Sequence, residues 1–203
     1  VNARMQNAGQ SCIAAKRFLV QEKIVDEFVA KFKVAIQNLK TGNPLDKETQ
    51  IGSLARVDLA EELELQVQKS IQMGAKLIVG GNGKDAFYEP TILTNVTTEM
   101  PVFKEETFGP VAAIITFKTI EEAIKLSNQS EFGLGVSIFT QDIDFIKTKI
   151  SAFNEGAVFI NDMVKSDPRL PFGGIKKSGY GRELAEDGIK EFVNVKTIII
   201  NTF

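Results

Sequence analysis

The sequence predicts an α/β protein with a largely parallel sheet that helices cover on both faces. Segments in which apolar residues recur at helical spacing alternate with short apolar runs, which is the order of repeated β-α-β units. One of these runs, 111–117, is rich in β-branched and apolar residues, as in a strand that is buried on both faces. Together these observations favour one domain built around a covered sheet.

The first half of the chain contains two predicted helices and one predicted strand. Apolar residues at helical spacing predict a helix over 24–40, and a second helical pattern over 58–73 ends at Gly74. A short strand is predicted over 76–79, where two glycines follow an apolar run. The apolar face of the first helix consists of Ile24, Phe28, Phe32, Ile36 and Leu39.

The second half continues the alternation. After the strand 111–117, Thr119 and Glu122 have the spacing of a capping box and predict a helix that extends to about residue 128. The same criteria then predict a strand over 136–139, a helix over 143–150 and a strand over 157–160.

The carboxy-terminal segment differs from the rest. A helix is predicted over 183–192 and a strand over 193–200, whose residues 198–200 are too apolar for an exposed edge. The strand is therefore expected to pair inside this chain or on a neighbour. The chain is accordingly divided into a domain of residues 1–192 and a terminal arm of residues 193–203.

Composition narrows the chemistry. The 203 residues include 24 basic and 26 acidic side chains, so no large charged footprint points to nucleic acid or to a membrane surface. No apolar run approaches the roughly 18 residues of a membrane span, and the amino terminus lacks a secretory pattern. With one cysteine and no histidine, the usual zinc and haem ligand sets are excluded within this sequence. We expect a cytoplasmic protein that acts on small molecules and holds no metal.

The single cysteine, Cys12, follows a short run of small and amide residues, Gln6–Cys12, here called the thiol loop. A free cysteine is more often a small buried hydrophobe than a catalyst. Gly9 permits close backbone approach, and no apolar run precedes the thiol, so an activated nucleophile is the favoured interpretation.

A second candidate segment is the acidic loop, residues 105–110, which joins a carboxylate pair to an aromatic residue and a Gly-Pro turn. A solvated acidic turn is the simpler interpretation. Contact with the hydroxyls of a ribose is the alternative, because a carboxylate accepts their hydrogen bonds well.

A third segment, residues 170–183, is called the glycine-rich segment, and its composition predicts a tightly folded loop. The sequence completes neither the G-x-G-x-x-G fingerprint nor a P-loop. A pyrophosphate cradle for a dinucleotide would therefore lie outside these 203 residues.

Together the three segments resemble the aldehyde dehydrogenase superfamily, in order and spacing and from end to end of the chain. The resemblance rests on residues 7–12, 105–110, 171–174 and 178–183, and residues 14–18 and 130–134 are similar to the bacterial succinate-semialdehyde dehydrogenase branch. It implies a fold of the aldehyde dehydrogenase catalytic domain type, with residues 1–192 as that domain and residues 193–203 as an oligomerisation arm of a homo-oligomer.

The resemblance also implies a mechanism. Cys12 would attack an aldehyde, its backbone N–H would donate to the oxyanion, and hydride would pass to NAD or NADP before water releases the acid. Glu106 corresponds to the family glutamate that holds the nicotinamide ribose, and Phe108 to the aromatic residue on the nicotinamide side.

Substrate contacts are also implied by the resemblance. Family members that use succinate semialdehyde often carry an arginine where this chain has Gln6, and a serine of the loop before Pro171 corresponds to Ser166. Arg169 is the candidate that would supply the missing positive charge to a distal carboxylate.

Only eleven residues precede Cys12, whereas the family's cofactor domain, oxyanion asparagine and general base come earlier in the chain. The chain is therefore expected to be inactive or nearly so alone. Two alternatives stay open: oxidation of another small ω-carboxy or amino aldehyde, and a non-catalytic interaction module that assembles through residues 193–200.

Overall fold

The computed structural model describes residues 1–202, which form helices and strands in alternation. Short 3₁₀ turns occupy Gln6–Gly9, Glu22–Ile24 and Ile150–Ala152. The helices of this range are α1 (Asn2–Met5), α2 (Val25–Gln37), α3 (Val57–Gln72), α4 (Pro101–Lys104), α5 (Ile120–Asn128), α6 (Ile143–Lys147) and α7 (Ala185–Lys190). The strands are β1 (Arg17–Gln21), β2 (Lys76–Val79), β3 (Gly83–Lys84), β4 (Phe87–Tyr88), β5 (Thr91–Thr94), β6 (Val111–Phe117), β7 (Phe132–Gly133), β8 (Val136–Ile138), β9 (Val158–Ile160) and β10 (Ile175–Lys176).

The main sheet has the strand order β1-β6-β5-β2. Strand β6 pairs in parallel with β1, with Arg17 opposite Ala113, and in parallel with β5. Strand β2 runs antiparallel to β5, so the sheet is largely parallel, as predicted, with one antiparallel edge strand. The connection from β2 to β5 is a short excursion through the β3-β4 hairpin without a crossover helix, and a parallel pair requires such a crossover.

The core lies around β6. Residues Val111–Ile115 are all buried, and their side chains alternate between the two faces of the sheet, so both faces are covered. Helices α2 and α5 pack on the sheet at β1, and Leu63 and Val67 of α3 belong to the same core. Phe32 of α2 stacks against Phe18 of β1 with ring centroids 5.2 Å apart. The α/β fold class is therefore confirmed.

The capping box is confirmed with one difference. The Thr119 side chain accepts a hydrogen bond from the Glu122 N–H at 3.2 Å, and α5 begins at the next residue, Ile120. The Glu122 carboxylate accepts from the N–H of Lys118, one residue earlier than the capping box places it, at 2.8 Å. The side chain and backbone still fix the amino terminus of α5.

Two smaller sheets form beside the main one. Strands β8 and β9 pair in parallel, as predicted, with Val136 opposite Val158, whereas β7 and β10 pair antiparallel. The β7-β10 ladder links the end of α5 to the glycine-rich segment, because it places Gly133 opposite Ile175. The glycine-rich segment is thereby tied to the residues that follow α5.

The terminal segment does not form the predicted strand within the described chain. Helix α7 is shorter than the predicted 183–192, and residues 194–202 have no assigned helix or strand. The side chains of Ile198, Ile199 and Ile200 are 74%, 80% and 81% exposed. Pairing inside the chain is thus not seen up to residue 202. The arm 193–203 stays a prediction, and its last residue lies outside the described residues.

Within residues 1–202, no helix is both long enough and apolar enough to cross a membrane.

Candidate active site

The thiol loop turns sharply before Cys12. Asn7, Ala8 and Gly9 all have left-handed backbone angles, with φ of 51°, 51° and 77°. Such angles are costly for alanine and are held here by the surroundings. The Asn7 carbonyl accepts from the N–H of Gln10 at 3.0 Å, and Gln10 Oε1 accepts from the N–H of Ala55 at 2.8 Å. The loop is therefore fixed both to itself and to the segment before α3.

Cys12 occupies a corner of the next turn. The N–H of Ala14 closes this turn on the Ser11 carbonyl at 3.0 Å, so the N–H of Cys12 is not used by the turn. The Cys12 residue is exposed and lines a cleft of about 2240 Å³. An accessible thiol with an adjacent N–H is an arrangement suited to nucleophilic attack and to stabilising an oxyanion.

Arg4 holds the thiol loop through a hydrogen bond to its backbone. Its side chain is fully buried, and Nη2 donates to the Gly9 carbonyl at 2.6 Å. Burial lowers the pKa of Arg4 to about 10, an effect that the negative charge of Glu106 opposes. The guanidinium therefore stays protonated at neutral pH and places a permanent positive charge under the loop.

The acidic loop lies directly against the thiol loop. It follows α4, and its Thr107 is fully buried while the Glu106 side chain remains 38% exposed. Glu106 lines the same cleft as Cys12. The structure therefore brings these two predicted site residues into one cleft. Phe108 lies on the acidic loop, two residues after Glu106.

Lys16 joins the two loops, and sequence reasoning did not assign it to the site. Its Nζ lies 3.2 Å from Oε1 of Glu106 and 5.4 Å from the ring centroid of Phe108. Burial lowers the pKa of Lys16, as does the charge of Arg4, and Glu106 opposes both. The available signal was a basic residue four positions after the only cysteine, immediately before β1.

Arg17 completes a cluster of cations around Glu106. Its Nε donates to the Phe103 carbonyl at 2.7 Å, and its guanidinium lies 5.2 Å from the Phe103 ring centroid. Burial lowers the pKa of Arg17, and Glu106 again opposes the shift. One carboxylate thus offsets three cations, Arg4, Lys16 and Arg17.

The glycine-rich segment forms another wall of the cleft, and the prediction that it folds tightly agrees with its contacts. A Cβ on Gly156 would lie 1.9 Å from the Gly173 carbonyl oxygen, so the backbones pack directly against each other. Ser178 Oγ accepts from the N–H of Gly133 at 3.0 Å, and Arg182 Nη1 donates to the Gly174 carbonyl at 3.0 Å. These contacts fix the segment against Gly133 and Gly156, in the cleft that Cys12 also lines.

The predicted substrate contacts are not gathered with Cys12 in this arrangement of residues 1–202. Gln6, Ser166 and Arg169 are exposed and lie outside the walls of the cleft. Arg169 pairs with Asp167 through Nε and Nη2 at 2.9 and 2.6 Å, and this pairing lowers the pKa of the carboxyl group and raises that of the guanidinium. Their roles stay predictions.

Comparisons with known proteins identify the family of the chain. Residues 1–198 match the model of the aldehyde dehydrogenase family. The chain is 48% identical to the succinate semialdehyde dehydrogenase Sad of Escherichia coli, whose name specifies NAD(P)+, over 98% of this chain and 44% of that protein. It is 46% identical to an NADP(+)-specified succinate-semialdehyde dehydrogenase of Mycobacterium ulcerans, over 98% of this chain and 44% of that protein.

A solved structure shows the same fold. The crystal structure of succinate-semialdehyde dehydrogenase from Burkholderia pseudomallei superposes with a TM-score of 0.90 and 36% identity, over 94% of this chain and 40% of that one. The chain therefore spans less than half the length of the relatives it matches. The family match over nearly all residues, the identity and the shared fold together establish that the chain belongs to the aldehyde dehydrogenase family.

Proposed function

We propose that this chain carries the nucleophile of an NAD(P)-dependent oxidation of succinate semialdehyde to succinate. The observation that carries the proposal is the position of Cys12, which is exposed at a turn corner in a cleft that Glu106 also lines. The names of the relatives support the substrate and the nucleotide. These relatives are 48% and 46% identical to the chain, but the chain covers only 44% of each of them, so the activity of a whole enzyme is part of the proposal.

The chemistry begins at the Cys12 sulfur. The thiolate adds to the carbonyl carbon of the aldehyde, and the resulting oxyanion of the thiohemiacetal accepts from the N–H of Cys12. A bound NAD(P)+ supplies the acceptor for the hydride that leaves this carbon, which converts the thiohemiacetal to a thioester. Water then adds to the thioester carbon, and the sulfur leaves as the carboxylic acid forms.

Glu106 fits a contact with the ribose of the nucleotide. Its Oε1 is held by Lys16 at 3.2 Å, and its side chain is 38% exposed toward the cleft, so the second carboxylate oxygen is the one available to a ribose hydroxyl. Phe108 lies on the same loop, against the Lys16 ammonium, where its ring would meet the nicotinamide side. The main nucleotide-binding domain and the general base are proposed to lie outside these 203 residues.

The substrate carboxylate is assigned to Gln6, Ser166 and Arg169. Arg169 is 85% exposed at its side chain and is bound to Asp167, so it would have to exchange one carboxylate for another. The substrate carboxylate can replace the Asp167 carboxylate without loss of hydrogen bonds, because each carboxylate accepts two from the guanidinium.

A homo-oligomer is proposed through the terminal arm, residues 193–203. The exposed side chains of Ile198, Ile199 and Ile200 form an apolar run with an unpaired backbone in the described part of the arm. Such a run is stabilised when it adds to the edge of a neighbouring sheet.

The test is NAD(P)H formation from succinate semialdehyde, monitored by absorbance. The 203-residue chain is compared with the same chain extended by the sequence encoded upstream, and each is also made as Cys12→Ser. We expect turnover in the extended protein only, and we expect the thiol substitution to abolish it. Turnover with another ω-carboxy or amino aldehyde alone would transfer the assignment to that substrate. Absence of turnover with every aldehyde would favour the interaction module.

A further inference from the structure

Lys16 is fixed by the backbone of the turn that carries Cys12. Its Nζ donates to the carbonyls of Ser11 at 3.3 Å and Ala14 at 3.2 Å, and it also lies 3.4 Å from the carbonyl of Cys12. The side chain is 12% exposed, although lysine is rarely buried without partners. The position of the ammonium is therefore set by the main chain around the thiol.

The same ammonium reaches the acidic loop. Its Nζ lies 3.2 Å from Oε1 of the Glu106 carboxylate and 5.4 Å from the centroid of the Phe108 ring. One ammonium therefore contacts the turn that carries Cys12 and the carboxylate of the acidic loop.

We propose that Lys16 is a positioning residue, which holds one oxygen of Glu106 so that the other meets the ribose hydroxyls of the nucleotide. The proposal rests on the proposed function and goes beyond it, since it assigns to Lys16 the orientation of the ribose-binding carboxylate. Lys16 acts through Glu106 and does not itself contact the nucleotide.

Charge neutralisation alone does not account for Lys16. Arg4 and Arg17 already act on Glu106 through their charges, while their hydrogen bonds go to the backbone carbonyls of Gly9 and Phe103. The charge of Arg4 disfavours the charged form of Lys16. A third cation is thus electrostatically costly at this place, and what it adds is a direct contact that orients the carboxylate.

The experiment is a double-mutant cycle in the extended enzyme. The variants are Lys16→Met, Lys16→Arg, Glu106→Gln and the double variant Lys16→Met/Glu106→Gln, with Lys16→Gln as a second replacement should the methionine variant fail to fold. The matched control is Lys149→Met, because Lys149 also pairs with a glutamate, Glu121 at 3.1 Å, and lies 5.6 Å from the Phe145 ring.

We expect Lys16→Met to raise the KM for NAD(P)+ about tenfold with a smaller change in kcat, as for the loss of a hydrogen bond to a charged group. Lys16→Arg restores most of the loss, because it keeps the charge and the donors. In the Glu106→Gln background, Lys16→Met changes the KM less than twofold, and Lys149→Met leaves it unchanged.

The results separate the two proposals. Equal effects of Lys16→Met in the parent and Glu106→Gln backgrounds, or none in the parent, overturn the positioning role while the proposed function stands. If the parent enzyme shows no turnover, the proposed function fails, and the same cycle is measured as the Kd for NADH and for NADPH by fluorescence titration. A parent that binds neither nucleotide overturns the positioning role as well.

Discussion

Gly9 lies so close to Gly109 that a Cβ on Gly9 would stand 2.2 Å from the Gly109 carbonyl oxygen. The contact joins the thiol loop to the acidic loop through their backbones, beside the Arg4 guanidinium, which such a Cβ would meet at 2.7 Å. Gly9 also has a φ of 77°, which an alanine tolerates poorly. The distance between Cys12 and Glu106 thus depends on the absence of a side chain at one position.

Gly9→Ala is expected to destabilise the protein by at least about 2 kcal/mol, since the left-handed backbone and the contact with a carbonyl both oppose the new Cβ. It is also expected to reduce turnover about 100-fold or more, because a displacement near 1 Å misaligns reacting groups. Urea unfolding and steady-state kinetics of the extended enzyme measure the two effects.

Gly74→Ala is the matched control for that substitution. Gly74 has a φ of 108°, but a Cβ there would meet nothing within 4 Å. We expect a loss of about 1–2 kcal/mol from the backbone alone, with turnover unchanged. Equal losses of activity in the two variants would show that close packing at Gly9 does not matter.

Glu106→Gln is expected to destabilise the fold more than Lys16→Met does. The first substitution leaves Arg4, Lys16 and Arg17 without the carboxylate that offsets them, whereas the second removes one of three mutually repelling cations. Because Glu106 is partly exposed, we expect about 1–2 kcal/mol for its loss and less than about 1 kcal/mol for that of Lys16. Urea unfolding of the 203-residue chain measures both losses of stability. A larger loss for Lys16→Met than for Glu106→Gln would refute the role of Glu106 in offsetting the three cations.

Local sequence signals were sufficient where a segment's own residues determine its structure. The bounds of β6 and of β2 were predicted as the structure has them, because each is a continuous apolar run followed by a change in composition. The start of α5 was predicted from Thr119 and Glu122, whose hydrogen bonds close within the segment.

Long-range contacts explain what the sequence did not reveal. Strand β1 was not predicted, because it begins at Arg17, whose burial depends on the carbonyl of Phe103 86 residues away. The direction of β2 depends on the β3-β4 hairpin, and Lys16 acquires its role only when the acidic loop is folded against it. The local context of Cys12 already favoured a nucleophile, and the acidic loop already offered a ribose contact as an alternative, but the specific role of Glu106 came from the resemblance.

Arg169→Ala tests the assignment of the substrate carboxylate. If Arg169 leaves Asp167 to bind the substrate, Arg169→Ala removes a bidentate contact with the substrate carboxylate. We then expect the KM for succinate semialdehyde to rise about tenfold and the KM for an uncharged aldehyde to stay unchanged. Steady-state kinetics with both aldehydes measure the difference. A KM unchanged for both substrates would remove Arg169 from the site.

The pH dependence of stability offers a test of the cation cluster that does not depend on turnover. Burial lowers the pKa of Lys16 below its ordinary 10.5, so the folded protein bears the cost of a charged Lys16 at all lower pH. As pH rises from that lowered pKa toward 10.5, the unfolded chain binds more protons than the folded one, and stability increases relative to a variant without the group.

We therefore expect the free energy of unfolding of the parent chain to rise relative to Lys16→Met as pH approaches 10.5 from below. Arg4, Arg17 and Glu106 face Lys16 and are present in both proteins, and Cys12 is replaced by serine in both. The difference between the two proteins therefore reports on Lys16 and on its coupling to Arg4. Urea unfolding at several alkaline pH values measures the difference. A parent that loses stability relative to Lys16→Met in this window would mean that Glu106 outweighs burial, and that the ammonium is favoured where it lies.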